Sequence, residues 1–429
     1  MSDLAWIDAA LTGARPQALG ALLRYFRSLD LAEEAFQEAC LRALKSWPDN
    51  GPPRDPAAWL IFVGRNSGID SIRRRARQQP LPDDAAISDL EDAEESLVER
   101  LDGAHYRDDI LRLLFVCAHP ELPSTQQIAL ALRIVSGLSV KQIARAFLVS
   151  EVAMEQRITR AKARVAAAGL AFSTPDAVER SARLSAVAAM IYLVFNEGYS
   201  TGGGRDDTPF CSEAIRLCRL LLRLFPGEPE IMGLTALLLL QHSRALARFD
   251  AEGTIVLLED QDRSLWDREM IAEAFALLDK AVRHGEPGPY QIQAAIAALH
   301  ARAARAADTD WRGIDLLYAN LEHLQPSPVV TLNRAVAVAK TRGPEAALAM
   351  IAPLEKRLSG YFHFFGLRGG LLMQLGRRGE ARADFDRAIA LANSAAEAAH
   401  IRLHLDRLMQ EAPGEPRAGR AEQRPEGNP

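Results

Sequence analysis

Apolar residues recur at spacings of three and four along almost the whole chain, and runs of β-branched residues are rare. This periodicity is that of amphipathic α-helices. Ala and Leu, which favour the helical conformation, supply most of the apolar positions. We therefore predict an all-α fold.

Breaks in this pattern divide the chain. Between 81 and 98 there are seven acidic residues and no basic one, and Pro80 lies just before the stretch, as expected of a linker. A second break falls at 173–176, Ser-Thr-Pro-Asp, where a new amphipathic pattern begins. The segment from Ala412 is rich in Pro, Gly, Glu and Arg and is predicted to be disordered. The predicted divisions are domains 1–79, 105–171 and 175–411, linker 80–104 and tail 412–429.

The third segment contains an internal repeat. One pattern of a small or apolar residue, a bulky residue, an apolar residue and proline occurs twice, at Ala214, Cys218, Leu221 and Pro226 and at Ile314, Tyr318, Leu321 and Pro326. The pattern is that of the second helix of a tetratricopeptide unit, whose period is about 34 residues. Weaker copies follow at Ala346 and Met350 and at Ala381, Phe385 and Ala388. The pattern predicts stacked helix pairs, and a non-repetitive helical bundle is the alternative.

The composition is that of an ordinary soluble protein. The 429 residues are 48% hydrophobic and 25% charged, with a formal net charge of -5. The four cysteines form no Cys-x-x-Cys pair, so neither a disulfide framework nor a zinc site is expected. The longest apolar run, 231–240, is half the roughly 20 residues that a membrane span needs. These features predict a cytoplasmic protein without membrane contact.

The second segment contains a helix-turn-helix pattern at 138–157. Ser139 and Ser150 are placed to cap its two helices. Ala144 is small where the helices would cross, and three apolar residues would lock the crossing, namely Ile143, Val149 and Met154. Leu148 stands where the turn usually has Gly. Two short helices with a polar turn can mimic this motif, so the pattern alone does not establish DNA binding.

The predicted second helix carries the chemistry that DNA binding needs. After Glu155 it has no acidic residue and four basic ones, Arg157, Arg160, Lys162 and Arg164, which suits contact with phosphates. Residues that read base edges are expected in its first turns.

The first segment predicts two further helices. Residues 30–47 form an amphipathic helix with acidic residues early and basic residues late, in line with the helix dipole. After a proline-rich loop, residues 58–77 begin with apolar and aromatic side chains and end with a cluster of arginines. Such polarity suits a helix that starts in a core and ends on a nucleic-acid backbone.

Together these motifs resemble the sigma-70 superfamily of RNA polymerase sigma factors, specifically its extracytoplasmic-function (ECF) group. Region 2.2 is matched by Asp30, Glu33, Glu34, Gln37, Glu38, Leu41, Arg42 and Ala43. Regions 2.3 and 2.4 are matched by Trp59, Leu60, Arg65, Asn66, Asp70, Arg73 and Arg74. Region 4 is matched by the helix-turn-helix. The stretch between Pro80 and Ala104 leaves no room for a region 3. The long extension looks like that of the ECF subgroup with C-terminal tetratricopeptide repeats.

The resemblance implies a role for each motif. The first helix should dock on the clamp helices of the polymerase β′ subunit, and region 4 should contact the β flap. The implied polymerase contacts are Glu34, Gln37, Glu38 and Leu41. The implied contacts with the minus-ten element are Arg65, Asn66, Asp70, Arg73, Arg74 and Arg77. The implied contacts with the minus-thirty-five element are Ser150, Glu151, Ala153, Met154, Arg157, Arg160 and Lys162. Trp59 and Phe62 suit base stacking, but their helical spacing favours a core position.

Enzymatic sites are not indicated. Gly202–Gly204 lacks the Gly-Lys-Ser/Thr of a phosphate loop, and His400 and His404 lack the Glu and the third ligand of a zinc protease. The charged stretch 260–268 fits a capped helix start better than a polar groove for a partner. We expect no catalytic residue, metal or cofactor.

We therefore predict a sigma factor whose repeat domain controls or supports it, with a protein or peptide partner as a candidate for the repeat groove. The alternatives are a helix-turn-helix regulator with a ligand- or peptide-sensing repeat domain, and a repeat scaffold with a vestigial DNA-binding region.

Overall fold

A computed structural model describes residues 5–51, 53–77, 103–147, 149–168, 177–201, 210–250, 255–392 and 401–402. Over these residues the chain is built from α-helices and short 3-10 turns, and its β structure is a single isolated bridge between Phe249 and Ile255. The all-α prediction is confirmed. The helices are α1 (Ala5–Phe26), α2 (Leu29–Asn50), α3 (Pro56–Arg77), α4 (Gly103–Cys117), α5 (Ser124–Ile134), α6 (Val140–Ala146), α7 (Glu151–Ala168), α8 (Ala177–Thr201), α9 (Phe210–Leu224), α10 (Pro229–His242), α11 (Arg268–Val282), α12 (Pro289–Arg302), α13 (Trp311–Leu324), α14 (Pro328–Arg342), α15 (Pro344–Ile351), α16 (Phe362–Gln374) and α17 (Arg378–Leu391).

The chain folds into two compact units, Met1–Leu238 and Leu239–Pro429. In the first unit, α1, α2 and α3 pack on one another around a small aromatic core. Trp47 is buried there and contacts Trp59 edge-on, with ring centroids 5.3 Å apart. Gly64 of α3 allows the close approach of α2, because a Cβ atom there would lie 3.0 Å from the carbonyl oxygen of Ala35. Trp59 and Phe62 are half-buried, and Trp59 packs against this aromatic core as predicted. The core position of Phe62 stays a prediction.

The rest of the first unit is a second group of helices, in which α5, α6 and α7 pack together and α4 packs on α1. Helix α8 packs on α4 and α5, and α9 packs on α8. Phe210, at the start of α9, is fully buried and contacts Phe147, just after α6, with ring centroids 5.8 Å apart. The first two helices of the extension therefore share a core with the predicted DNA-binding segment.

In the second unit, consecutive helices pack as neighbours from α11 to α17, and the most extensive packing is between α16 and α17. Ala381, Phe385 and Ala388, which carry the repeat pattern, are buried in this unit's core. Helix α9 in the first unit ends before Pro226 and α13 in the second ends before Pro326, as the repeat pattern predicts. The helix pairs are thus present, while the tetratricopeptide assignment and the domain boundaries stay predictions.

Several predicted features lie outside the described residues: nearly all of the acidic linker 80–104, Leu148, Gly202–Gly204, His400, His404 and the tail 412–429. In the part of the chain that is described, no helix combines the length and the apolar content needed to cross a membrane. Over the same residues, His, Cys, Asp and Glu side chains form no cluster of three that would hold a metal ion.

Candidate nucleic-acid interface

Helix α2 presents one exposed strip to solvent. Ser28 caps the helix by accepting a hydrogen bond from the amide of Leu31 at 3.4 Å. The opposite face of the helix is buried, through Ala32, Ala35, Phe36, Ala39 and Ala43. The four predicted polymerase contacts all lie on the exposed strip, namely Glu34, Gln37, Glu38 and Leu41.

This strip combines acidic and apolar groups. Leu41 is 55% exposed and Leu44, one turn further on, is 48% exposed, which is unusual for leucines on a core-forming helix. Glu38 contacts Arg42 at 3.4 Å, and an exposed pair of this kind contributes little stability. The strip is therefore accessible to a partner that offers both basic and apolar side chains.

Helix α3 carries the predicted minus-ten residues on its outer face. Arg65, Asn66, Asp70 and Arg73 are all exposed. Arg74 and Arg77 lie in the last turns of α3, and their side chains are outside the described residues.

Tyr25 adds an aromatic group to this face. The guanidinium of Arg65 lies 4.8 Å from the centroid of the Tyr25 ring, which is at the end of α1 and 48% exposed. An exposed ring beside cations is the arrangement that single-stranded nucleic acids bind. Sequence reasoning missed Tyr25, because only the packing of α1 on α3 brings it to Arg65.

The helix-turn-helix forms as predicted from α6 and α7. Ser139 caps α6, with Gln142 completing a capping box, and the hydroxyl of Ser150 accepts from the amide of Ala153 at 3.2 Å. Ile143 and Ala144 are buried where the helices cross.

The predicted minus-thirty-five residues divide into two sets. Exposed on the outer face of the motif are Ser150, Glu151, Ala153 and Arg160. Met154 is fully buried, so in this structure it holds the crossing of the two helices, the other role predicted for it. Arg157 and Lys162 are half-buried, and each has an intramolecular partner.

Comparison with known protein families identifies the α1–α3 segment and the helix-turn-helix segment. The model of Sigma-70 region 2 matches residues 12–78, and that of Sigma-70, region 4 matches residues 112–165. The chain belongs to the sigma-70 family. A family of unknown function (DUF6596) matches residues 183–282. The chain is also 74% identical over 413 residues to an uncharacterized protein of Rhizobium meliloti (strain 1021), covering 96% of this chain and 98% of that one. No solved structure matches the chain.

Membership of the sigma-70 family gives the two segments their general functions. Regions 2 and 4 belong to an RNA polymerase sigma factor, and they imply binding to core polymerase and to promoter DNA. The family is not a class of enzymes. The individual contact residues within the two regions stay predictions.

Region 4 is held directly against region 2. Lys162 of α7 forms ion pairs with Glu33 and with Asp30 at the start of α2, the latter at 3.2 Å. Burial by itself lowers the pKa of Lys162, but hydrogen bonds and charge from the two carboxylates outweigh it and raise the pKa. Glu33 is only 5% exposed, so the Lys162–Glu33 pair is largely desolvated, whereas Asp30 is exposed.

Two arginines of α1 extend the same contact. Arg15 donates from Nε to the carbonyl of Ile134 at 2.8 Å and from Nη2 to that of Arg133 at 3.2 Å, which satisfies the end of α5. Arg24 lies 3.2 Å from the buried carboxylate of Asp109 in α4. The two regions therefore form a closed arrangement, which we call the region 2–region 4 contact.

A further residue of region 4, Arg157, lies near both the turn and the extension. The guanidinium of Arg157 lies 5.7 Å from the centroid of the Phe147 ring. Burial raises the pKa of Glu197 in α8, while the positive charge of Arg157 acts to lower it. These partners come from the extension and the turn, so local sequence reasoning on α7 did not find them.

Proposed function

We propose that the chain is an ECF-type sigma factor, which recruits core polymerase to promoters with a minus-ten and a minus-thirty-five element and opens the DNA at the first. The observation that carries the proposal is the exposed strip of α2, Glu34, Gln37, Glu38 and Leu41, on a region 2 fold. Support for the ECF type comes from the two matched regions, 12–78 and 112–165, which are separated by a short interval.

In this proposal the region 2–region 4 contact opens when the protein binds polymerase and promoter. Lys162 is directed at Glu33 and Asp30, and it has to leave them before it reaches a DNA phosphate. Since the DNA backbone replaces two carboxylates as the partner of Lys162, promoter binding should favour the open state, whereas polymerase can bind the α2 strip before the contact opens.

We also propose that the C-terminal helical extension controls this activity. Helix α8 packs against α4 and α5 of region 4, and α9 packs on α8 and contacts Phe147 through Phe210. Glu197 of α8 lies close enough to Arg157 for the two charges to influence each other. A rearrangement of these two helices would alter the position of Arg157 and so the minus-thirty-five contact. A groove in the repeats would admit a protein or peptide partner that triggers the rearrangement.

The test is selection of bound sequences from a randomised duplex DNA library, by the full chain with and without core RNA polymerase. We predict enrichment of a two-element sequence only when polymerase is present. Arg160→Glu with Arg164→Glu, on the exposed face of α7, should abolish enrichment of the upstream element.

The matched control is Arg312→Glu with Arg357→Glu, which makes the same charge change at exposed positions of the second unit. Enrichment of a palindrome by the chain alone would favour a helix-turn-helix regulator. Failure to enrich any sequence under either condition would favour the scaffold alternative.

A further inference from the structure

The second unit contains a cavity of about 780 Å³. It lies between the loop that precedes α11, the end of α12 and the facing sides of α13 and α14. Its volume is within the range of roughly 300–1,000 Å³ that is usual for small-molecule sites. A cavity of this size holds one small organic molecule rather than a folded partner.

One wall of the cavity is apolar and aromatic. Trp311, Ile314 and Val336 contribute to it from α13 and α14. The Trp311 ring is fixed from two sides: the His300 ring meets it edge-on with centroids 5.3 Å apart, and the ammonium of Lys340 lies 5.8 Å from its centroid. A ring held in this way offers a flat surface to an aromatic or aliphatic ligand.

The charged groups of the lining favour an anion. The described lining residues with a formal charge are Glu259, Arg263 and Lys340, which gives an excess of one positive charge. Arg244, Arg268 and the carboxylate of Asp308 are close enough to influence the Arg263 guanidinium, so its surroundings add two positive charges and one negative charge. His300 is kept neutral by burial and by Arg244 and Arg263, which lower its pKa to about 4.

Arg263 is held in place by the fold. Its Nη1 donates to the carbonyls of His300 and Ala303, the latter at 2.8 Å, and its guanidinium lies 4.6 Å from the centroid of the Trp266 ring. Lys340 pairs with Glu259 at 3.0 Å on the exposed side of the cavity. A ligand carboxylate or sulfonate would therefore meet the guanidinium of Arg263, which the fold holds in place, and the ammonium of Lys340 at the edge of an apolar wall.

We propose that this cavity is a binding site for a small organic anion with an apolar, preferably aromatic, body. The apolar part lies against Trp311, Ile314 and Val336, and the anionic group lies towards Arg263 and Lys340. The proposal concerns the second unit alone and does not depend on the function proposed above.

The test is fluorescence titration of the purified full chain with 8-anilinonaphthalene-1-sulfonate, an aromatic anion. We expect saturable 1:1 binding. Lys340→Gln should weaken it about fivefold and Glu259→Gln should tighten it about as much, because each changes one charge close to the sulfonate. Trp311→Leu should weaken binding about tenfold through loss of the aromatic surface. Circular dichroism verifies that each variant is folded.

The matched control is Lys356→Gln, the same substitution at an exposed position outside the lining, which should leave the affinity unchanged. The uncharged probe N-phenyl-1-naphthylamine should be insensitive to the changes at Lys340 and Glu259. The proposal is overturned if those two variants shift the affinity for the anion in the same direction or leave it unchanged. It is equally overturned if Trp311→Leu, shown to be folded, binds as tightly as the unaltered chain.

Discussion

At the residue scale, the most informative side chains are charged or titratable groups held away from water. Lys162 is paired with Glu33 within the first unit, and His300 is packed against Trp311 in the second. Lys162 lies more than a hundred residues from Glu33, and the charges that act on His300 come from Arg244 and Arg263, outside its own helix. The environment of each residue therefore depends on the tertiary structure and not on the sequence pattern of its own helix.

His300 predicts a pH dependence for the stability of the second unit. Its pKa falls from 6.5 to about 4 through burial and the charges of Arg244 and Arg263. Between these values the unfolded chain binds more protons than the folded one, so stability falls as the pH is lowered from about 6.5 to about 4. The loss should be on the order of 2 kcal/mol, measured by denaturant unfolding across this pH range.

His300→Phe keeps a ring against Trp311 and removes the titration, so it should flatten that pH dependence. His323→Phe, at an exposed position of the same unit, is the control and should leave the dependence intact. A variant at His300 with an unchanged pH profile would show that other groups cause the acid sensitivity.

Contacts between residues close in sequence were predictable, whereas contacts between distant residues were not. Ser139 and Ser150 could be predicted as caps because capping is a contact over three residues. The pairing of Lys162 with Glu33 joins α7 to α2 across more than a hundred residues, and no local pattern encodes it. The contact between the Arg157 guanidinium and the Phe147 ring likewise depends on how the turn folds.

At the element scale, helix contacts depend on where small residues lie. Gly20 is buried in α1 where that helix meets α4, and a Cβ there would lie 2.9 Å from the carbonyl oxygen of Asp109. Gly13, in the same helix, is exposed and has no atom within 4 Å of such a Cβ. The contact with α4 therefore requires a glycine at position 20, whereas the space around position 13 would admit a side chain.

Alanine at each position should change stability in opposite directions. Gly20→Ala forces α1 away from α4 and should destabilise the first unit by about 1–3 kcal/mol. Gly13→Ala only replaces glycine by a residue with a higher helix propensity, so it should stabilise the first unit by about 0.5–1 kcal/mol. The unfolding transition of the first unit, followed by denaturant titration, measures both. Equal effects would mean that α1 and α4 do not make this contact in solution.

Helix ends were predictable from the sequence to a useful degree, because prolines and caps mark them. Asp267 caps α11 through the amide of Met270 at 3.0 Å, so the stretch 260–268 is a capped helix start as expected. Within that stretch, Arg263 binds backbone carbonyls of α12 and the residue after it, so it serves tertiary packing. Which helices pack together was not encoded in the periodicity, and the packing of α8 on α4 and α5 was not foreseen.

At the scale of the whole molecule, helix α2 carries both the exposed strip and part of the closed region 2–region 4 contact. The strip residues Glu34, Gln37, Glu38 and Leu41 are exposed, whereas Glu33 of the same helix is buried and pairs with Lys162. In the function proposed here, one helix therefore offers the predicted polymerase contacts on one side and pairs with region 4 on another. Binding of polymerase to the closed form is thus compatible with a later opening on DNA.

The measurement that tests the central claim most directly is binding of the full chain to core RNA polymerase, by analytical ultracentrifugation. We predict saturable 1:1 binding that is lost in Glu38→Lys with Leu41→Asp, because the double variant reverses a charge and removes an apolar contact on the α2 strip. The control, Glu345→Lys with Leu316→Asp, makes the same changes at exposed positions of the second unit and should bind normally. Absence of binding by the full chain, or equal binding by both double variants, would contradict the account.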